Sequence, residues 1–183
     1  GFNVYKDYGI SIDEDNTRIN GFVGLKYLFE IFNYDYKSSL NLFPDINEFP
    51  EKGIGYVFDV PAALLEYILG TSDPRSFFLL RHLLNFTYFF IGVIFFFLLL
   101  KNRFKSTNLA LLGTLFLIIS PRIFANAFYN NKDIIFLSLF IIASYYSVKT
   151  LQNLTYVDSI LASIFIGLAS GMRILGVFLA LLL

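Results

Sequence analysis

An apolar run at residues 77–100, broken chiefly by Arg81 and His82 near its start, constrains this chain more than any other feature. At a rise of about 1.5 Å per residue, such a run reaches across a hydrocarbon core of about 30 Å. Lipid offers no partner to a backbone N–H or C=O, so a span of this kind is helical. Composition agrees: 56% of the residues are hydrophobic and only 15% are charged, whereas soluble domains carry about 25% charged residues. The expected class is all-α, a polytopic transmembrane helical protein.

Lys101, Arg103 and Lys105 follow the run with no acid among them, and an excess of cations beside a span marks the cytoplasmic side. Residues 1–76 are then an outer loop and residues 77–183 the membrane region. Further spans are expected at 109–120, 134–148 and 154–170, with the start of a fifth in the apolar tail. The polar start at Gly1 and the apolar tail at 175–183 suggest an interior piece of a longer protein, preceded by another membrane helix.

The outer loop is punctuated by turn signals at Pro44, Pro50, Gly53 to Gly55 and Pro74. Between them, Ile19, Phe22, Val23, Leu28, Phe29, Ile31 and Phe32 recur at helical spacing, with Asn20, Lys26, Glu30 and Asn33 interleaved. This pattern predicts an amphipathic juxtamembrane helix lying in the interface. A second such helix is expected at 60–69, with Asp59 as N-cap and Pro61 in its first turn.

Several chemistries drop out at this stage. The chain has no cysteine, so it has neither a disulfide framework nor a thiolate metal site. Its glycines make no phosphate-cradling loop, and its lone histidine supplies no transition-metal spacing. Nucleic acid is not an expected partner. A divalent ion between Asp13 or Glu14 and a phosphate is compatible with hard-oxygen chemistry. The N-glycosylation patterns at Asn85 and Asn153 fall in a span and an inner loop and read as coincidence.

The expected topology puts Asp13, Glu14, Asp15, Arg122, Lys132, Asp133 and Arg173 on the outer side. Ionisable groups near membrane depth mark functional sites by default. Both signs together suit a transfer in which phosphate leaves: a carboxylate takes the proton of an attacking hydroxyl, and cations stabilise the departing charge.

At these residues the chain resembles a known family. Segment 7–18, with its acidic Asp13-Glu14-Asp15, resembles the first outer loop of membrane glycosyltransferases of the GT-C fold, which include protein O-mannosyltransferases and aminoarabinose transferases. Segment 120–133, ending in Lys132 and Asp133, looks like their second outer loop. Segment 167–176 is similar to a stretch that often reads Gly, small residues, then Lys-Gly; here Arg173 stands in the Lys position and Ile174 replaces the Gly. The resemblance covers only the region from after the first membrane helix to about the fifth.

That resemblance implies a polyprenyl-phosphate-sugar donor whose sugar moves, with inversion, to an outer acceptor, be it protein, lipid or glycan. Asp13 is then the base, Glu14 its support and Asp133 the second-loop acid. Arg122, Lys132 and Arg173 face the donor phosphate. The location implied is the outer face of a bacterial-type inner membrane, in contact with its lipids.

Each residue also has a plainer reading. Ser11 and Glu14 fit an S-x-x-E capping box, and Asp13 and Asp15 suit a helix N-terminus. Asp133 suits a first helical turn, and Arg122, Lys132 and Arg173 suit snorkelling to headgroups. His82 reads as an interfacial residue without a visible partner. Two other functions use the same charges: a transporter or lipid flippase that binds solute with them, and a noncatalytic scaffold in which they pair with one another and leave no open cavity.

Overall fold

The computed structural model describes residues 2–36, 38–50, 55–71 and 73–181. The turn expected at Gly53 and Ile54 and the last two residues of the apolar tail lie outside them. The described residues form eight α-helices and no strand: α1 (Ile12–Ile31), α2 (Tyr56–Leu69), α3 (Pro74–Phe104), α4 (Thr107–Ile119), α5 (Pro121–Tyr129), α6 (Asn131–Asn153), α7 (Tyr156–Met172) and α8 (Val177–Leu181).

Two helices are long and apolar enough to cross a membrane, α3 and α6. The number rises to three if α4 and α5, bent by 65° at their junction, count as one broken span. The sequence reading expects four spans and part of a fifth. At 13 residues, α4 extends about 20 Å, short of a core of about 30 Å. The 17-residue α7 reaches about 25 Å. Segment 120–133 also departs from expectation, because most of it is α5 and not a loop. Pro121 ends α4 by forcing Ser120 out of the helical region, to ψ 111°, and itself opens α5 from the first helical position.

Capping residues account for most of the helix starts. Asp73 accepts from Ser76 N–H at 3.1 Å ahead of Pro74, and Asn130 accepts from Asp133 N–H at 3.0 Å. Each satisfies a backbone donor that the first turn leaves without a partner. Helix α2 breaks the predicted rule. It begins at Tyr56, one turn earlier than the expected cap, so Asp59 is a helical residue and Pro61 lies inside the helix. The reason is tertiary: Asp59 is buried and bonded to side chains of α1 and α6.

Helices α3 and α6 run in the same direction. Asn102 near the end of α3 donates to Gln152 near the end of α6 at 2.7 Å, and midway Gly92 lies against Ser138, where an added Cβ would come within 2.9 Å. Helix α4 returns along α3, and α7 returns along α6. Helices α1 and α2 form a pair across the N-terminal ends of α3 and α6. Their crossing depends on Gly21, where a Cβ would sit 2.3 Å from the Asp59 carbonyl oxygen.

Apolar packing joins the layers. Phe58 and Ala62 of α2, Ile135 and Leu139 of α6, and Ala169 and Met172 of α7 form one buried cluster. In another, the Phe128 ring of α5 is stacked between Tyr8, at 4.2 Å, and Phe86 of α3, at 5.1 Å. Such ring pairs add about 0.5–1.5 kcal/mol beyond the area they bury.

A helix is found where the amphipathic one is predicted, as α1, but its buried residues are mixed: Phe22, Val23 and Leu25 are buried as expected, and Asn20 and Lys26 are buried with them. At its N-terminal half the residues turned inward are Glu14, Thr17 and Asn20, while Ile12, Leu28 and Ile31 are exposed. A polar stripe faces the protein, because the surface it covers is itself charged.

Candidate functional site

Counting back 20 residues, about 30 Å of helix, from Leu100 reaches Arg81, so in a membrane crossed by α3 over this length Arg81 and His82 would fall at the edge of the hydrocarbon core. Both are buried. A cation in that position needs a protein partner, and α1 and α2 supply them.

His82 Nε2 donates to Glu14 Oε2 at 2.9 Å, and its Nδ1 lies 3.4 Å from the Tyr5 carbonyl oxygen. The other Glu14 oxygen, Oε1, accepts from Ser11 N–H at 2.8 Å. One carboxylate therefore both caps α1 and ties it to α3. The interfacial, partnerless reading of His82 is corrected: helix α1 lies over it and excludes solvent.

Arg81 Nε donates to Glu66 Oε1 at 2.5 Å, and the second Glu66 oxygen accepts from Arg18 Nε at 2.8 Å. The Arg18 guanidinium also lies 3.6 Å from the centre of the Phe77 ring, an arrangement favoured by the ring quadrupole. On the other side of Arg81, its Nη1 is 4.0 Å from Asp59 Oδ1. Asp59 accepts from Asn20 Nδ2 and from Asn131 Nδ2, each at 2.8 Å. Burial pushes its carboxyl up to about 7, against the opposing pull of Asn20, Arg81, Lys132 and Asn131.

Glu14, Thr17, Arg81, His82, Asn85 and Asn131 line a cavity of about 10 Å³, near the space one water needs. Arg81 Nη1 and Nη2 and Asn85 Oδ1 are buried there without a hydrogen-bond partner among the described residues. Buried polar atoms of this kind are costly unless a water or ion meets them. The cavity is small, and Phe58, Phe128 and Tyr129 line it beside the polar groups.

Of the residues singled out from sequence, Glu14 enters this cluster. Asp13 is exposed on the next position of the same turn, with no ion-pair partner among the described residues. Lys132 is half-buried at the start of α6, close enough for its charge to act on Asp59. Asp133 pairs with Arg173 across the ends of α6 and α7, both exposed. The Gly55 N–H bond to the Gly171 carbonyl, at 3.3 Å, brings the start of α2 to that same end. Arg122 is exposed on α5 and makes no ion pair among the described residues. No three His, Asp or Glu side chains gather in a way that suits a metal among those residues.

Asp59, Glu66, Arg81 and His82 were absent from the sequence-derived set. A signal existed: Asp59 and Glu66 are seven apart, hence on one face of α2, and Arg81 with His82 interrupts an otherwise apolar run. Two buried-face carboxylates beside two interrupting bases are what a membrane-edge ion cluster requires. The chain matches no protein-family model, no curated protein and no solved structure.

Proposed function

We propose that the chain is part of a membrane glycosyltransferase that moves a sugar from a polyprenyl-phosphate-linked donor to an acceptor on the outer face, with inversion. The observation that supports this reading is the exposure of Asp13 directly beside the anchored Glu14. The clamp from His82 holds the first turn of α1 with Asp13 facing solvent, which would set a carboxylate beside a bilayer crossed by α3. In the proposed step the acceptor hydroxyl gives its proton to Asp13, its oxygen bonds to the anomeric carbon, and the bond from that carbon to the phosphate oxygen breaks. The electron pair leaves with the polyprenyl phosphate, whose charge Arg173, Lys132 and Arg122 would stabilise.

The test is transfer of labelled sugar from a polyprenyl-phosphate donor in membranes, using the full-length parent and its Asp13→Asn variant. Transfer by the parent that falls at least about a hundredfold in the variant supports the reading. Full activity of the variant removes Asp13 as the base. Absence of turnover by folded parent with any donor removes the enzyme class and leaves solute transport to be assayed.

A structural reading has its own support. Glu14 with His82 and Asp133 with Arg173 pair among themselves, and the cavity beside the first pair is only water-sized, as a noncatalytic scaffold predicts.

A further inference from the structure

A second charged site lies at the opposite end of α3 and α6 from the Glu14 and His82 cluster. There the C-terminal turns of the two helices border an open cleft of about 560 Å³, lined by Lys101, Lys105, Lys149, Gln152, Tyr145 and Leu98. Lys149 is neutralised by Asp158 at 3.1 Å. Lys101 and Lys105 are exposed and have no ion-pair partner among the described residues, so the cleft carries two uncompensated positive charges. Lys105 Nζ reaches Asn102 Oδ1 at 2.8 Å, and Asn102 in turn holds Gln152, which ties the cleft floor together from both helices.

Cations at helix C-termini also complement the helix dipoles, but that role needs neither a cleft nor amides bridging its floor. The position is decisive as well. Leu98 and Tyr145 lie on the bilayer side of the lysines, on the two helices long and apolar enough to span. The cleft therefore grades from apolar to cationic along the membrane normal, as an acyl chain grades into a phosphate. Basic pockets between membrane helices take anionic headgroups in this way.

We propose that this cleft binds the phosphate of an anionic phospholipid, with Lys101 and Lys105 on the phosphate oxygens and the acyl chains running past Leu98 and Tyr145. This proposal does not depend on the glycosyltransferase reading.

Purified full-length protein would be loaded with phosphatidylglycerol or with phosphatidylcholine in detergent, and retained lipid counted by native mass spectrometry. Preferential retention of phosphatidylglycerol is expected, weakened about 30-fold by Lys101→Gln with Lys105→Gln, at about fivefold for each lysine lost. The Lys101→Arg, Lys105→Arg variant keeps the charge and should retain the lipid, which separates loss of binding from loss of fold. Undiminished preference in the Gln variant overturns the site. Release of the lipid by millimolar inorganic phosphate overturns the lipid as its occupant, since a small soluble anion then competes on equal terms.

Discussion

Glu14 and His82 lie 68 positions apart in the chain, yet Oε2 of one meets Nε2 of the other at 2.9 Å while Oε1 of the same Glu14 caps the helix it begins. The two functions of one carboxylate can be separated by substitution. Glu14→Gln keeps an oxygen for Ser11 N–H and should weaken mainly the hydrogen bond to His82. Glu14→Ala loses the cap as well, a further ~1 kcal/mol. His82→Ala leaves one buried Glu14 oxygen without its donor and should cost about 1–3 kcal/mol. Thermal unfolding in detergent would rank the three, and a His82→Ala protein as stable as the parent would rule out the clamp.

Arg81 sits between Glu66 and Asp59. Arg81→Met removes the cation but leaves two buried acids facing each other's fields, so a loss of about 3–5 kcal/mol is expected. Arg81→Lys should recover little of it, because a single ammonium cannot reproduce the guanidinium fork. Denaturation midpoints of the two variants would decide.

Asp59 makes stability depend on pH. Its carboxyl is raised to about 7 in the folded protein, against about 3.9 when unfolded. Between these values the folded state holds the extra proton, so the stabilisation is fully present below about 4 and is lost as pH rises through about 7. The full swing is on the order of 4 kcal/mol. Asp59→Asn cannot ionise and should flatten the slope, becoming more stable than the parent above pH 7. Unfolding curves collected from pH 4 to 8 test the sign directly.

The crossing of α1 and α2 depends on the absence of a side chain at Gly21. Gly21→Ala would drive a methyl group into the Asp59 carbonyl and should destabilise by about 1–3 kcal/mol. Gly167→Ala is the control, since nothing lies within 4 Å of its added Cβ. Equal stability of the two variants would mean the helices separate without cost.

Asp133 and Arg173 are an exposed pair, and such pairs contribute about 0–1 kcal/mol. Arg173→Ala should therefore leave the unfolding temperature nearly unchanged. If Arg173 meets a donor phosphate, the same variant raises the KM for the polyprenyl-phosphate donor; an unaltered KM would confine Arg173 to its partner Asp133.

Much of the helical framework was legible residue by residue. The apolar run at 77–100 lies within α3, which begins three residues earlier at the turn signal Pro74, and Asp133 falls in the first turn of α6. These are local effects, carried by the nearest few residues. The misreadings are of another kind. Asp59 looked like a cap because Pro61 follows it, but three tertiary partners hold it inside the helix. His82 looked partnerless because Glu14 is remote in the chain.

The same division separates what the sequence by itself determined from what only the tertiary structure decided. Hydropathy, capping residues and prolines determine that the chain is helical and that the runs at 77–100 and 134–148 lie within helices long and apolar enough to cross a bilayer, while the expected spans at 109–120 and 154–170 fall in shorter helices. They do not determine which member of Asp13-Glu14-Asp15 turns inward. Consecutive residues on a helix point about 100° apart, so only one of the three can face α3, and the choice rests on the angle at which α1 docks. That angle follows from the close approach at Gly21 and from the bases at 81 and 82, contacts that exist only once the helices have packed.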